Sequence, residues 1–271
     1  MRKLALILVA PVLLVSAAPP PSARVVEGFA DLADLTLAAP IVLRATVAKA
    51  ERLNVKEAPD VPPTQARMLV EAAVQAAIVA PGAVAPSVKY LWQTPLDAKG
   101  KPPKLKGAPV LLFLRPVPGR EDQVTLIAGQ GQIAATPAAE ATVRRILTER
   151  RDPAAALRVT GIANAFHVPG SVPGEAETQI FLTTAAEPVS LVVLSRPGQP
   201  QSWSFATGDV IDEAARSIPR NTLLWYRLAC ALPRALPAAA VKELGDSDRA
   251  AAAADYRFVL TSLGPCGRTL R

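Results

Sequence analysis

This chain is short of the side chains from which most catalytic and metal centres are made. A single histidine, His167, stands among 271 residues, with two cysteines and two methionines. A Cys/His zinc site needs about four such ligands brought together, so none is expected. Nothing in the sequence asks for another cofactor. Aromatic residues make up 4% of the chain, which leaves few stacking platforms for sugars or bases and argues against a nucleic-acid partner. Half of the residues are hydrophobic, but alanine supplies much of that share, so the core should be aliphatic. Past the N-terminal segment no uncharged apolar stretch approaches about eighteen residues, and no transmembrane span is expected.

What is present shows first at the N-terminus. Met1, Arg2 and Lys3 form a cationic start, residues 4–15 an uncharged apolar run, and Ser16, Ala17 and Ala18 a small-residue stretch. That order is the order of a secretory signal peptide, and the run is too short for a permanent span, which needs about twenty residues. The signal peptide is expected over 1–17, with Val15 and Ala17 preceding the cut. A cut after Ala18 would set Pro19 against the scissile bond. No cysteine follows the cut, which argues against a lipid anchor, and residues 18–24 read as a disordered leader. The expected location is therefore periplasmic or secreted. In such an oxidising compartment Cys230 and Cys266 should form a disulfide bond, and their spacing is not that of a CxxC redox pair.

The formal net charge is +7, and much of the excess is local. Between Lys89 and Lys106 five lysines face one acid, Asp97. Lys99, Lys101, Lys104 and Lys106 fall in a proline-containing stretch that reads as a loop. They are the candidate binding residues, for an anionic envelope polymer or an envelope protein; a solvated loop kept soluble by lysines is the plainer alternative.

Twenty-seven prolines favour many short elements over long helices. Residues 41–47 alternate as a strand, with Leu43, Ala45 and Val47 on one face and Arg44 and Thr46 on the other. Residues 66–80 suggest one or two strands, with a helix the alternative. Residues 88–92 alternate again, and 124–128 return the chain after a turn. Residues 110–114 are an unbroken apolar run, expected as a central strand covered on both faces. Thr136 caps an expected helix that begins at Pro137, buries Val143, Ile146 and Leu147, and closes at Arg150 and Arg151. A second β region, 159–168, 178–183, 189–195 and 202–206, is separated by Pro-Gly turns and reads as an antiparallel meander. From Asp209 the pattern becomes helical. Asn221 is the expected cap of a helix over 222–232 with Leu224, Leu228 and Ala231 inward. Ser247 or Asp248 should cap the last helix, with Tyr256, Val259, Leu260 and Leu263 inward and Gly264 and Pro265 as its stop. Trp92, Trp203 and Trp225 fall in expected elements as partly buried anchors. The fold class is α+β, divided at 25–151 and 152–271.

Few residues carry chemistry. His167 sits at a strand end with Glu175 and Glu177 close in sequence, and a histidine base oriented by a carboxylate would support a hydrolase; a structural hydrogen bond is the plainer use. Glu175, Glu177 and Asp209 show no spacing that pairs them for glycosidase work. Gly129-Gln130-Gly131 is too short for a phosphate loop and lacks its lysine. Gly245-Asp246-Ser247-Asp248 has the look of a GDSL-hydrolase block, but no histidine follows it to act as base, so it reads as a loop and helix cap.

Ala33-Asp34-Leu35 followed by 41–47, 66–80 and 110–114 resembles, in order, OB-fold barrels of the netrin-like, metalloproteinase-inhibitor type. The resemblance implies an OB-like antiparallel β-barrel with a closing helix over 25–151. Inhibition in that family depends on N-terminal cysteines, which this sequence lacks, so it is not carried over. Residues 165–170, 177–182, 222–230, 254–259 and 264–266 are similar to exported proteins of alphaproteobacteria, the sphingomonads especially. That similarity implies export and no particular activity. The expected function is a non-enzymatic cell-envelope binding or interaction protein, with a hydrolase using His167 as the alternative.

Overall fold

The computed structural model describes residues 28–185, 189–207 and 218–270. The expected signal peptide and leader, Asp209 and the onset of the helical pattern there lie outside the described residues.

Strands β1 (Ile41–Arg52), β2 (Gln65–Val79), β3 (Ser87–Pro95), β4 (Pro109–Val117) and β5 (Arg120–Leu126) close into a barrel in the order β1-β2-β3-β5-β4, with β1 pairing back onto β4. The short β6 (Gln132–Ala134) adds to the outside of β4. Residues 66–80 are one strand and not two. Register shifts bend β1 so that it pairs β2 along most of its length and β4 over its first half, as bulges allow. The pairs are antiparallel except at the seam, where β3 meets β5 in parallel at Lys89 and Gln123. Lys89 donates to Asp122 at 3.0 Å across that seam. The pairing holds the Asp122 carboxyl below its ordinary value and the lysine above.

Alternation along β4 explains its unbroken apolar run. Val110, Leu112 and Leu114 enter the barrel interior with Leu43, Ala45, Val47, Met68, Tyr90 and Trp92. Leu111 and Phe113 point the other way, into a second core. That core is built by α1 (Phe29–Ala38), α2 (Pro137–Glu149), the meander β7 (Val159–Pro169), β8 (Ala176–Thr184), β9 (Val189–Ser195) and β10 (Ser202–Thr207), and the C-terminal helices. The meander is antiparallel throughout. Gly131 is fixed by contact: its carbonyl accepts from the Phe113 N–H at 2.7 Å, and a Cβ there would collide with the Phe113 carbonyl. The glycine pair is thus a turn under β4.

The α2 cap is as expected: the Thr136 hydroxyl accepts from the Ala139 N–H, and Val143 and Ile146 are buried. The short α3 (Pro153–Ala156) follows it. Two other caps differ. Asn221 takes a positive φ of 60° and stays in the turn, while Thr222, in the extended conformation a cap requires, accepts from the Trp225 N–H. Helix α4 is short (Leu223–Ala229) and buries Leu223, Trp225, Tyr226 and Leu228. Leu224 is half-buried, and Ala231 lies beyond the helix and exposed. Helix α5 (Asp246–Leu263) starts from Gly245 with no side-chain cap, so Ser247 and Asp248 lie within its first turn. Gly264, at φ 70°, ends it. Cys230 and Cys266 are joined in a disulfide with their Cα atoms 4.9 Å apart. Beyond it the tail returns to α1: buried Asp31 accepts from the Thr269 and Leu270 N–H groups at 2.8 and 2.9 Å.

Candidate functional site

The lysine loop runs between β3 and β4. Its shape is held from within. The Asp97 carboxylate accepts from the Lys99 and Lys101 N–H groups at 2.8 Å each, an Asx-type turn. Arg52 donates to the Gly100 carbonyl at 3.4 Å, and Gly107 and Ala108 exchange backbone bonds with Val47. Leu105 anchors the stretch: it is 2% exposed and packs in the barrel core. Lys104 and Lys106 flank that anchor and are exposed, as are Lys99 and Lys101. Among the described residues none of the four ammonium groups has a carboxylate partner within 4.0 Å. The arrangement is a cationic projection on a loop whose backbone is fixed and whose charges are not neutralised.

His167 is placed differently from what its neighbours in sequence suggest. It pairs in register with Thr178, whereas Val168 pairs with Glu177, so alternation sends His167 and Glu177 to opposite faces of the meander. Glu175 and Glu177 line a depression of about 430 Å³ with Phe166, Val168 and Arg196, which His167 does not line. The carboxylate at the imidazole is Asp255, carried in by α5. Nδ1 lies 2.7 Å from the Thr178 hydroxyl and 3.6 Å from Asp255. The hydroxyl donates to one Asp255 oxygen, and the Gln201 amide donates to the other at 2.7 Å.

Thr178 is fully buried and Asp255 nearly so, so the hydroxyl is closed to a substrate. The cluster's evident work is to bond the meander to α5 across their packed faces. Removing the acceptor takes one bond each from the buried Thr178 hydroxyl and the half-buried Gln201 amide, and a lost buried bond of this kind costs about 1–3 kcal/mol. Asp255→Ala should therefore destabilise the fold by about 1–3 kcal/mol in urea denaturation. A change below about 0.5 kcal/mol, the range of neutral surface substitutions, would refute a structural role for the cluster.

Sequence reasoning had no route to Asp255. It lies 77 residues from Thr178, on a helix face whose partner strand only the tertiary fold identifies. No protein-family model matches this chain, and no curated protein matches it.

Proposed function

We propose that this is an exported, non-enzymatic protein that binds an anionic polymer of the cell envelope through Lys99, Lys101, Lys104 and Lys106. The observation that carries the reading is the loop itself, pinned by buried Leu105 and presenting four ammonium groups without carboxylate partners among the described residues. A fixed backbone sets where the charges sit, and flexible lysine stems let them follow an irregular polyanion. The N-terminal signal pattern and the likeness to exported alphaproteobacterial proteins support an envelope location. The disulfide fits an oxidising compartment, and no helix among the described residues is long and apolar enough to cross a membrane.

Attraction of this kind acts through a field that salt screens over about 8 Å at physiological ionic strength. Binding to isolated envelope material should weaken steeply as salt rises to about 0.15 M. Replacing the four lysines by glutamine should abolish most of that binding and its salt dependence. Thermal stability should change little, because exposed charges contribute little to folding. Undiminished binding by the quadruple variant would end the proposal. Capture of one envelope protein in a salt-insensitive manner would replace the polymer with a protein partner.

A further inference from the structure

A separate cleft of about 540 Å³ opens where α1, α4 and the start of β7 meet. Its wall is apolar and aromatic, from Leu37, Val159 and Tyr226, and its rim carries Arg158, Arg227 and Arg268. It lies by the N-terminal end of β1, whereas the lysine loop packs on the later part of that strand.

The charges in the cleft do not balance. Asp34 is the one acid lining it among the described residues, and it is already engaged. Arg268 donates to it at 2.6 and 3.0 Å, and the Tyr226 hydroxyl donates at 2.6 Å. Arg158 and Arg227 have no carboxylate partner among the described residues. Burial holds the Arg227 guanidinium below its ordinary pKa, and nearby Arg158 acts in the same direction. The Arg227 Nε–H is buried and has no acceptor, a deficit that native structures rarely leave unmet.

The group is also held in place. Arg227 stands in the last turn of α4, whose Trp225 indole donates to the Leu263 carbonyl at 2.8 Å and whose end is bridged at Cys230. Its guanidinium lies 5.6 Å from the centre of the Tyr226 ring, with that of Arg268 5.8 Å from the same ring, cation–π contacts that restrict both. Guanidinium forks match the paired oxygens of carboxylates and phosphates. An oxyanion there would separate two like charges, Arg158 and Arg227, that no carboxylate among the described residues neutralises. The volume exceeds what an oxyanion fills, and it falls within the range of small-molecule sites.

We propose that this cleft binds a small organic oxyanion, a carboxylate or phosphate monoester with an apolar body, between Arg158 and Arg227. The apolar part lies against Leu37, Val159 and the Tyr226 ring. The site stands apart from the lysine loop and does not depend on it.

Phenyl phosphate and inorganic phosphate, titrated calorimetrically into the whole protein, test the assignment. Phenyl phosphate should bind saturably at one site, about fivefold or more tighter than inorganic phosphate, because only it fills the apolar wall. Arg158→Gln and Arg227→Gln should each weaken it about tenfold or more. The four-lysine variant should bind it as the parent does. Arg158 is exposed, so its variant keeps the test valid should the half-buried Arg227 variant lose its circular dichroism spectrum. The absence of saturable binding at about 10 mM, where even weak oxyanion sites fill, would overturn the site. Binding that survives the double arginine variant, or that vanishes with the lysines, would do the same. Equal affinity for the two probes would overturn the apolar body. Capture of phosphatidylglycerol vesicles without competition from phenyl phosphate would assign the arginines to a lipid surface instead.

Discussion

Phe113→Ala should be among the most damaging single truncations in this protein, lowering stability by about 3–5 kcal/mol. The ring is fully buried and stands on the outer face of β4, where the barrel wall becomes the floor of the second core. The buried cluster to which it belongs also draws on α1, α2 and the meander, so a cavity opened there is not expected to close by one side chain turning. For a chain of this size about 2–4 °C accompanies each kcal/mol, so the midpoint should fall by roughly 6–20 °C. Phe166→Ala is the comparison. That ring is 45% exposed on the outer face of the meander, and its loss should cost less than about 1 kcal/mol. Urea denaturation of both variants measures the contrast. A Phe113→Ala loss under about 1 kcal/mol would mean that the barrel and the second core are energetically separable.

Removal of the Cys230–Cys266 bridge is expected to be nearly as costly. The residues are 36 apart in sequence, and closing a loop of that size restricts the unfolded chain by about 3–4 kcal/mol on a chain-entropy account. The bridge sits at the end of α4 and just past α5. The tail beyond it carries Arg268, Thr269 and Leu270 onto Asp34 and Asp31 of α1. Loss of the bridge therefore also loosens the contact between the described ends of the chain. The Cys230→Ala, Cys266→Ala double variant should lose about 3–4 kcal/mol, or roughly 6–16 °C in midpoint. Mass spectrometry of the unreduced native protein should find neither thiol open to alkylation. Alkylation of both without reductant would refute the bridge.

The elements that could be read in advance are those whose own pattern carries the burial. Alternation in β1 separated Leu43, Ala45 and Val47 from Arg44 and Thr46, and the barrel interior takes the first set. The continuous run in β4 announced two covered faces, and Thr136-Pro137 announced α2. Helix α1 escaped because it is buried on nearly every side, Asp31 and Thr36 included, and starts from Gly28 without a side-chain cap. It has neither a polar face nor a start signal to read. The cap shift from Asn221 to Thr222 turned on one backbone angle, and both residue types are good caps.

The candidate sites divide in the same way. The lysine loop is contiguous, so its charge excess was visible along the chain, and the structure adds the buried Leu105 that holds it. The partner of His167 was not visible. Proximity in sequence favoured Glu175 and Glu177, but a strand sends adjacent residues to opposite faces, and α5 brought Asp255 to the ring.

By itself, then, the sequence determined the α+β class, most of the strands, the cysteine pair and the position of the lysine loop, because each is a local pattern or a matter of counting. Only the tertiary structure decided that two cores share the wall of β4, that His167 serves a buried polar junction, and that Arg158, Arg227 and Arg268 surround one cleft. Those arrangements join residues far apart in the chain, and only the packing of helices and sheets against one another brings them together.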